Sequence, residues 1–334
     1  MRAAVLSEYG VPAPGEFEEP SAGGEQAAGE GQAAGEGQAA GEAQAAGAGQ
    51  AVVQVLAAGV NPVDVAICAG RFYAGRPPLP SVAGREGVGV LDGRRVYFDA
   101  PVAPFGSMAE RALIDASGAY EVPDGVGDGA AVALGISGLA AWLALTWRAQ
   151  LREGEHVLVL AASGVLGQVA VQAAKLLGAA RVVAAARSQE GLERCLRLGA
   201  DAAVRLDGGA DLPERLQEAA AGRIDVVLDP LFGEPLVAAV EAASFGARIV
   251  QIGAGAGAQA TLPSAPLRGK MLVLMGHTNF AAPPQVKAAA YARMAQAVRD
   301  GDLQVAVREL ALEQVGEAWR LLQEGSHAKL VLVP

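Results

Sequence analysis

The segment His156-Val157-Leu158-Val159-Leu160-Ala161-Ala162-Ser163-Gly164-Val165-Leu166-Gly167 restricts the possible folds more than any other part of the chain. Its apolar run reads as a buried strand, its middle as a glycine turn, and residues 165–177 have the 3.6-residue periodicity of a helix. Gly164 lets backbone approach a pyrophosphate, and Gly167 lets the helix pack on the strand. The helix N-terminus adds unpaired N–H groups and the positive end of its dipole, so Ser163, Gly164, Val165, Leu166 and Gly167 form a candidate cradle for an anion. Ala162 stands where the G-x-G-x-x-G pattern has its first glycine. An ordinary strand-to-helix turn is the alternative. Position favours the dinucleotide reading, because this turn opens a βαβ series.

That series follows from the pattern beyond Pro123-Asp124-Gly125. Strands are expected at 156–161, 181–186, 202–204, 225–229, 247–252 and 271–275. Helices are expected at 129–147, 165–177, 189–198, 212–221, 234–244 and, last, 286–300. Alternation of this kind implies a parallel, doubly wound sheet with helices on both faces. The N-terminal part differs, with short strands at 51–56, 88–91, 95–98 and 108–114 separated by Gly and Pro, the texture of a small barrel. At 334 residues the chain is long enough for two domains. The expected division gives 1–123 and 277–334 to the barrel domain and 124–276 to the parallel sheet. Residues 24–47 are a six-residue Gly/Ala/Glu/Gln repeat with no large apolar side chain, expected to be a solvated, flexible insertion.

Several function classes are disfavoured. A net charge of −10, with no basic stripe, argues against nucleic acid and anionic membrane surfaces. The hydrophobic fraction of 52% overstates the core, since 73 residues are alanine. Uncharged stretches at 129–147, 156–174 and 249–267 reach membrane-spanning length, but their Gly, Ala, Ser, Gln and Pro content fits buried α/β elements better. The opening Met1–Glu8 run is too short for a signal peptide, and two cysteines, Cys68 and Cys195, build no disulfide framework, so a cytoplasmic location is expected. No Cys or His pair has metal-ligand spacing, and no metal site is expected.

Cofactor choice is read at the end of the second strand, where an NAD enzyme places Asp or Glu on the ribose 2′-hydroxyl. Here the sequence is Ala186-Arg187-Ser188. Arg187 and Ser188 offer donors to a 2′-phosphate, with a solvated loop arginine as the alternative, and Lys175 on the preceding helix is a weaker candidate. Asp229, Ile252 and Gly253 end strands at the carboxyl edge, where dinucleotides bind. NADPH is therefore the expected cofactor.

The chain resembles the medium-chain dehydrogenase/reductase superfamily, in its zinc-free quinone oxidoreductase branch. The resemblance rests on Ala57-Ala58-Gly59-Val60-Asn61-Pro62-Val63-Asp64, Gly84-Arg85-Glu86-Gly87-Val88-Gly89 and Gly106-Ser107-Met108-Ala109-Glu110, together with the glycine turn. Asp225-Val226-Val227-Leu228-Asp229, Gly246-Ala247-Arg248-Ile249-Val250, Leu267-Arg268-Gly269-Lys270 and the ending from Lys329 to Pro334 extend it. It implies an α/β protein with a GroES-like β-barrel domain, closed by the C-terminal tail, plus a Rossmann doubly wound parallel-sheet domain. Zinc members carry Cys where this chain has Asn61, and Gly-His-Glu where it has Gly84-Arg85-Glu86. The resemblance further implies that Asn61, Asp64, Phe72 and Tyr73 lie near the cleft, and that His277 and Thr278 lie beside the nicotinamide. Each has a bland alternative: Asn61 as an Asn-Pro turn, Tyr73 as a turn tyrosine over apolar surface, and His277 as a structural histidine.

With no Lewis acid, the expected reaction is hydride transfer from NADPH to a quinone or an α,β-unsaturated carbonyl, with Asn61, Asp64 and Tyr73 as catalytic candidates. A small-molecule acceptor and a homodimer are expected. The rival readings are a zinc-free alcohol or aldehyde reductase of the same fold and a non-catalytic NADPH-binding sensor or structural protein.

Overall fold

A computed structural model of the chain describes residues 1–22 and 49–334, so the repeat at 24–47 lies outside the described residues. Six parallel strands form one sheet in the order Ala202–Arg205, Arg181–Ala186, His156–Leu160, Val226–Asp229, Arg248–Gln251, Val273–Gly276. Val157 lies opposite Val182 on one side and Val226 on the other. The order reverses at His156–Leu160, and the crevice outside the carboxyl ends of strands at such a reversal is where open α/β sheets bind ligands. These strands read as unbroken apolar runs because helices cover both faces: Leu158, Val159, Val227 and Leu228 are all fully buried.

The second body is built on a seven-stranded sheet. Gln50–Val60, its longest strand, runs further in both directions than the expected 51–56. A register shift between Val55 and Ala57 interrupts its pairing with Glu86–Leu91. Its first half pairs with Arg111–Asp115, and its second half with Glu86–Leu91 and Lys329–Val333. A three-stranded sheet of Ala13–Glu16, Arg2–Leu6 and Ser81–Val82 joins it through the Ala3–Ala109 bridge. Leu6, Val53, Phe98, Met108, Ile114 and Trp319 fill the space between.

Two expectations change at the C-terminal end. Pro284–Asp300 returns to the barrel only in part: it buries Ala290, Met294 and Ala295 beside the helices of the parallel sheet, while Tyr291 stacks on Tyr97 and Tyr120 of the barrel and Lys287 pairs with Asp99. The chain rejoins the mixed sheet only at Val307–Ala311. Nor is Pro284–Asp300 the last helix, since Val315–Glu324 follows and packs Val315, Ala318 and Trp319 into the barrel core.

The uncharged 129–147 stretch is a helix, Asp128–Arg148, and among the described residues it is the one helix long and apolar enough to cross a membrane. Inside the fold, 78% of its apolar window is buried, against the helices Val165–Leu176 and Pro284–Asp300. The 156–174 stretch is the strand, turn and helix already described, and 249–267 runs from strand Arg248–Gln251 through a loop into the short helix Ser264–Gly269.

Candidate active site

The glycine turn takes the shape its sequence requires, with one local difference: the left-handed residue is Ala161 (φ 51°) rather than the Ala162 that replaces the motif's first glycine. A Cβ on Gly167 would sit 2.4 Å from the Ala162 Cα, so only glycine lets the Val165–Leu176 helix lie this close to the strand. At Gly164 the nearest atom to such a Cβ would be 3.6 Å away, and no side chain caps the helix. Open space in front of uncapped N–H groups is a cradle for a phosphate, so the turn fits a dinucleotide. The Ser163 carbonyl accepts from Gln168 Nε2 at 2.7 Å and lies 3.1 Å from His327 Nδ1, which ties the turn to the segment entering the last strand.

Of the residues at the far end of the cofactor, Arg187 is exposed just past Arg181–Ala186 and has no hydrogen bond or ion pair among the described residues. Ser188 is next to it and caps the helix Gln189–Arg197, accepting from Gly191 N at 3.1 Å. Lys175 is elsewhere. Near the C-terminal end of its helix it pairs with Asp201 at 3.1 Å, and Asp201 accepts from Val182 N, at the opposite end of the strand from Arg187. Ten residues of helix are about 15 Å, which removes Lys175 from the cofactor candidates.

Asp229 is fully buried at the end of its strand. Its Oδ1 accepts from Leu231 N and Phe232 N while Oδ2 is unpaired, and burial raises its pKa. Ile252 N donates to the Asp229 carbonyl, and Gly253 follows against Pro230, so these three share one edge of the sheet. His277 Nε2 donates to Asn279 Oδ1 at 3.0 Å, and the ring meets Trp147 edge-on. Burial lowers its pKa, which keeps the imidazole neutral. Thr278 Oγ1 lies 3.2 Å from the Tyr73 hydroxyl, and Asn279 Nδ2 donates to the Ile136 carbonyl, so residues 277–280 connect the two bodies.

The acceptor side is organised by a buried polar network that the sequence did not disclose. Glu86, fully buried, accepts four hydrogen bonds. Oε1 takes Lys329 Nζ at 2.5 Å and Asn61 Nδ2 at 2.9 Å, and Oε2 takes the Tyr97 hydroxyl at 2.8 Å and Ile136 N at 2.6 Å. The last bond distorts the long helix. Leu134–Gly138 winds in π fashion, with Gly135 at ψ −118°, and a Cβ there would sit 2.3 Å from Glu86 Oε2. Lys329 Nζ also donates to Asn61 Oδ1 at 2.5 Å. Asn61 in turn donates its backbone N–H and Nδ2 to Asp64 Oδ2, at 2.8 and 3.1 Å.

Asn61 therefore has its amide committed within the protein and is 2% exposed, which makes it a positioning residue rather than one that touches an acceptor. Asp64 is also buried, with Oδ1 unpaired, and burial followed by repulsion from Glu86 raises its pKa to about 6. Burial and the neighbouring Asp64 push the Cys68 thiol up to about 12, so it behaves as a packing residue. Tyr73, of the three catalytic candidates, is the one in the open: it is 76% exposed and rests on Phe72 at 4.5 Å between centroids. Phe72 contacts Phe280, and the Arg85 guanidinium lies over Phe280 at 5.2 Å. Glu86, Lys329 and Arg85 were present in the family-like motifs, but only the fold shows what they touch.

A parallel sheet of Rossmann order joined to a GroES-like body, with a phosphate cradle at the reversal, defines an oxidoreductase architecture. Residues 47–124 match the family of alcohol dehydrogenase GroES-like domains, and residues 165–296 the family of zinc-binding dehydrogenases. The chain is 31% identical over 247 residues to quinone oxidoreductase-like protein 2 of Mus musculus, covering 69% of each. It is also 31% identical over 214 residues to the quinone oxidoreductase of Rattus norvegicus, covering 60% of this chain and 64% of that one. The quinone oxidoreductase of Thermus thermophilus, solved also as a complex with NADPH, superposes with a TM-score of 0.78 at 30% identity over the whole of both chains. The protein belongs to the medium-chain dehydrogenase/reductase superfamily, in its quinone oxidoreductase-like branch, and is an oxidoreductase.

Zinc, which part of that superfamily uses, does not fit this donor set. Asn61 and Glu86 already hold the Lys329 ammonium, and among the described residues no three His, Cys, Asp or Glu side chains gather as ligands.

Proposed function

We propose that the protein is an NADPH-dependent, zinc-independent reductase that transfers hydride to a quinone or an α,β-unsaturated carbonyl. The observation that carries this reading is the Lys329 ammonium bonded to Asn61 and Glu86. A cation already neutralised by a buried carboxylate does not act on a substrate oxygen as a metal would, which favours an acceptor electrophilic by its own conjugation. Support for NADPH over NADH comes from Arg187, an exposed cation without a partner among the described residues, and from the lack of an acid next to it in the sequence. The Thermus relative's NADPH complex points the same way.

In this reading the reduced nicotinamide supplies the hydride, and the chain's residues supply place and environment. The glycine turn and helix N-terminus hold the pyrophosphate. Residues 277–280, anchored to Ile136 and Tyr73, fix the wall on which the nicotinamide lies. The neutral His277 adds no charge to that wall. The Asn61–Glu86–Lys329 network keeps the barrel face rigid beneath the acceptor.

A homodimer of cytoplasmic enzyme is part of the proposal. The outer strand Val273–Gly276 pairs on one side only, and Met271, Val273 and Leu274 beside it are exposed, an apolar sheet edge suited to pairing with a second copy. Both cysteines are buried and free, which suits a reducing compartment.

The test is a panel of quinones, enones and saturated carbonyls, scored by loss of NADPH and NADH absorbance, with elemental analysis of the purified protein. Turnover of quinones or enones with NADPH, none of saturated carbonyls, and no stoichiometric zinc is the expected result. Reduction of saturated aldehydes would establish the alcohol/aldehyde reductase reading instead, and tight NADPH binding without turnover the sensor reading.

A further inference from the structure

Of the Gly84-Arg85-Glu86 triplet the buried network uses Glu86 alone, and Arg85 is the other residue there that carries a polar side chain. Its neighbour Glu86 begins the strand Glu86–Leu91 and points into the core, so by the alternation of a strand Arg85 points the other way, toward the cleft. The Ala100 N–H donates to the Arg85 carbonyl and fixes the backbone there. Its guanidinium lies over the Phe280 ring at 5.2 Å, against the segment bridging the two bodies. Nε is buried with no partner, and no Arg85 nitrogen donates to any described residue. Asp99, close enough to feel its charge, is paired with Lys287 at 3.7 Å instead. A half-buried guanidinium normally meets a carboxylate or a carbonyl. This one lies instead against Phe280, whose ring meets Phe72 and through it Tyr73, on the cleft side of the barrel.

Of the other candidate donors on this face, the two buried ones are committed. Asn61 is used up by Asp64, Glu86 and Lys329; the Lys329 ammonium lies on Asn61 and Glu86; and the Tyr73 hydroxyl is at Thr278. We propose that Arg85 is a catalytic residue that hydrogen-bonds the acceptor oxygen and stabilises the negative charge it gains. This rests on the reductase reading. The C4–H bond of the reduced cofactor breaks, and its electron pair forms the new C–H bond at the acceptor's β-carbon or quinone ring. The acceptor's π pair moves onto its oxygen, the cofactor is oxidised, and water protonates the resulting enolate or quinolate. Arg85 donates hydrogen bonds and transfers no proton.

The test pairs turnover with a readout independent of it. Para-nitrophenol is an oxyanion probe whose colour reports its ionisation. Bound to the wild type with NADP⁺, its apparent pKa should fall by about one unit or more, as expected beside a fixed cation. The shift should vanish in Arg85→Gln and return in part in Arg85→Lys. In parallel, Arg85→Gln should lower kcat/KM for a quinone or enone roughly 100-fold, leaving the KM for NADPH and the melting temperature near wild type. An unshifted phenol in the wild type, no phenol binding at millimolar probe, or a Gln variant matching wild type in kcat/KM would overturn the proposal. So would an equal loss of NADPH affinity, which would make Arg85 a cofactor contact. Should Arg85→Gln fail to fold, Arg85→Lys decides alone: the proposal requires a smaller phenol shift and lower kcat/KM in a folded protein. If the wild type turns over no acceptor, the reductase reading fails while the phenol shift still decides whether Arg85 binds an oxyanion.

Discussion

Replacing Lys329 by Met deletes the only ammonium in the buried network while keeping an unbranched stem of similar size. Lys329 and Glu86 are 1% and 0% exposed, and Nζ and Oε1 are 2.5 Å apart. Removing one partner of a buried pair leaves an uncompensated charge and costs about 3–5 kcal/mol. Glu86 would keep Asn61, Tyr97 and the Ile136 N–H as donors, which sets the expected cost at the lower end, about 3 kcal/mol. At about 2–4 °C per kcal/mol for a domain of this size, the melting temperature should fall by roughly 6–12 °C. Salt should not change the loss, because the pair is out of reach of solvent ions. By contrast, the exposed Arg2–Glu110 pair should contribute under about 1 kcal/mol, and less in high salt. Adding Glu86→Gln to Lys329→Met removes the stranded charge, while its amide nitrogen meets a donor, Asn61 Nδ2 or Ile136 N, which offsets part of the gain. The double variant should therefore melt higher than Lys329→Met alone, with a coupling of about 1–3 kcal/mol. Scanning calorimetry of the four proteins of this cycle at about pH 7 measures it. A Lys329→Met melting temperature within about 2 °C of wild type, equivalent to roughly 1 kcal/mol or less, would refute the reasoning, as would a double variant no better than the single one.

Asp64 has its pKa raised to about 6 in the folded protein from the ordinary 3.8, so the folded state binds its proton more tightly than the unfolded chain does. Its contribution to stability is greatest below about pH 4, declines as pH rises to about 6 and is flat beyond; two pKa steps correspond to about 3 kcal/mol. Asp64→Asn should remove that decline, which melting curves from about pH 4 to about pH 7 would show; an unchanged slope would contradict the shift. Arg187→Ala should raise the KM for NADPH roughly ten- to hundred-fold, the value of a charge-assisted hydrogen bond, with NADH kinetics nearly unchanged. Equal loss with both cofactors would make Arg187 structural. Leu274→Lys on the outer strand should yield monomers by light scattering with the fold retained, and an unaltered dimer would place the interface elsewhere.

The Rossmann half was legible because its signals are local. An apolar run, a glycine turn and a 3.6-residue period each lie within a dozen residues, and their repetition fixes a parallel sheet. The barrel half depends on pairings between distant segments, such as Lys329–Val333 with Gln50–Val60, which no local pattern records. The buried network was hidden for the same reason: Lys329 lies 268 residues from Asn61 and 243 from Glu86. Other misses had signals. Val315, Ala318, Trp319 and Leu322 stand at helical spacing, so the helix Val315–Glu324 was readable. Helical rise alone places Lys175 too far from the helix N-terminus to serve a phosphate there. Val307–Ala311 was harder, because an outer strand with Arg308 and Glu309 exposed lacks the apolar run that marked the buried ones.

The arrangement of charge ties these readings together. His327 reaches the Ser163 carbonyl of the glycine turn and Lys329, two residues on, reaches Asn61 and Glu86, so one short segment registers the cofactor cradle against the acceptor face. Because Glu86 neutralises Lys329, the network contributes position rather than electrophilic pull. Below about pH 6 a protonated Asp64 leaves the network neutral, and above it the network carries one net negative charge. That extra negative charge beneath the acceptor face opposes charge build-up on a reacting oxygen. An acceptor whose conjugation spreads the incoming electron pair tolerates such a floor better than a saturated carbonyl does, and turnover should therefore decline as pH rises through about 6. The Asp64→Asn variant separates this from any effect of the cofactor: it should keep its low-pH turnover where the wild type loses it. If the two pH profiles coincide, Asp64 shapes stability alone, and the charge of the buried network plays no part in the acceptor preference.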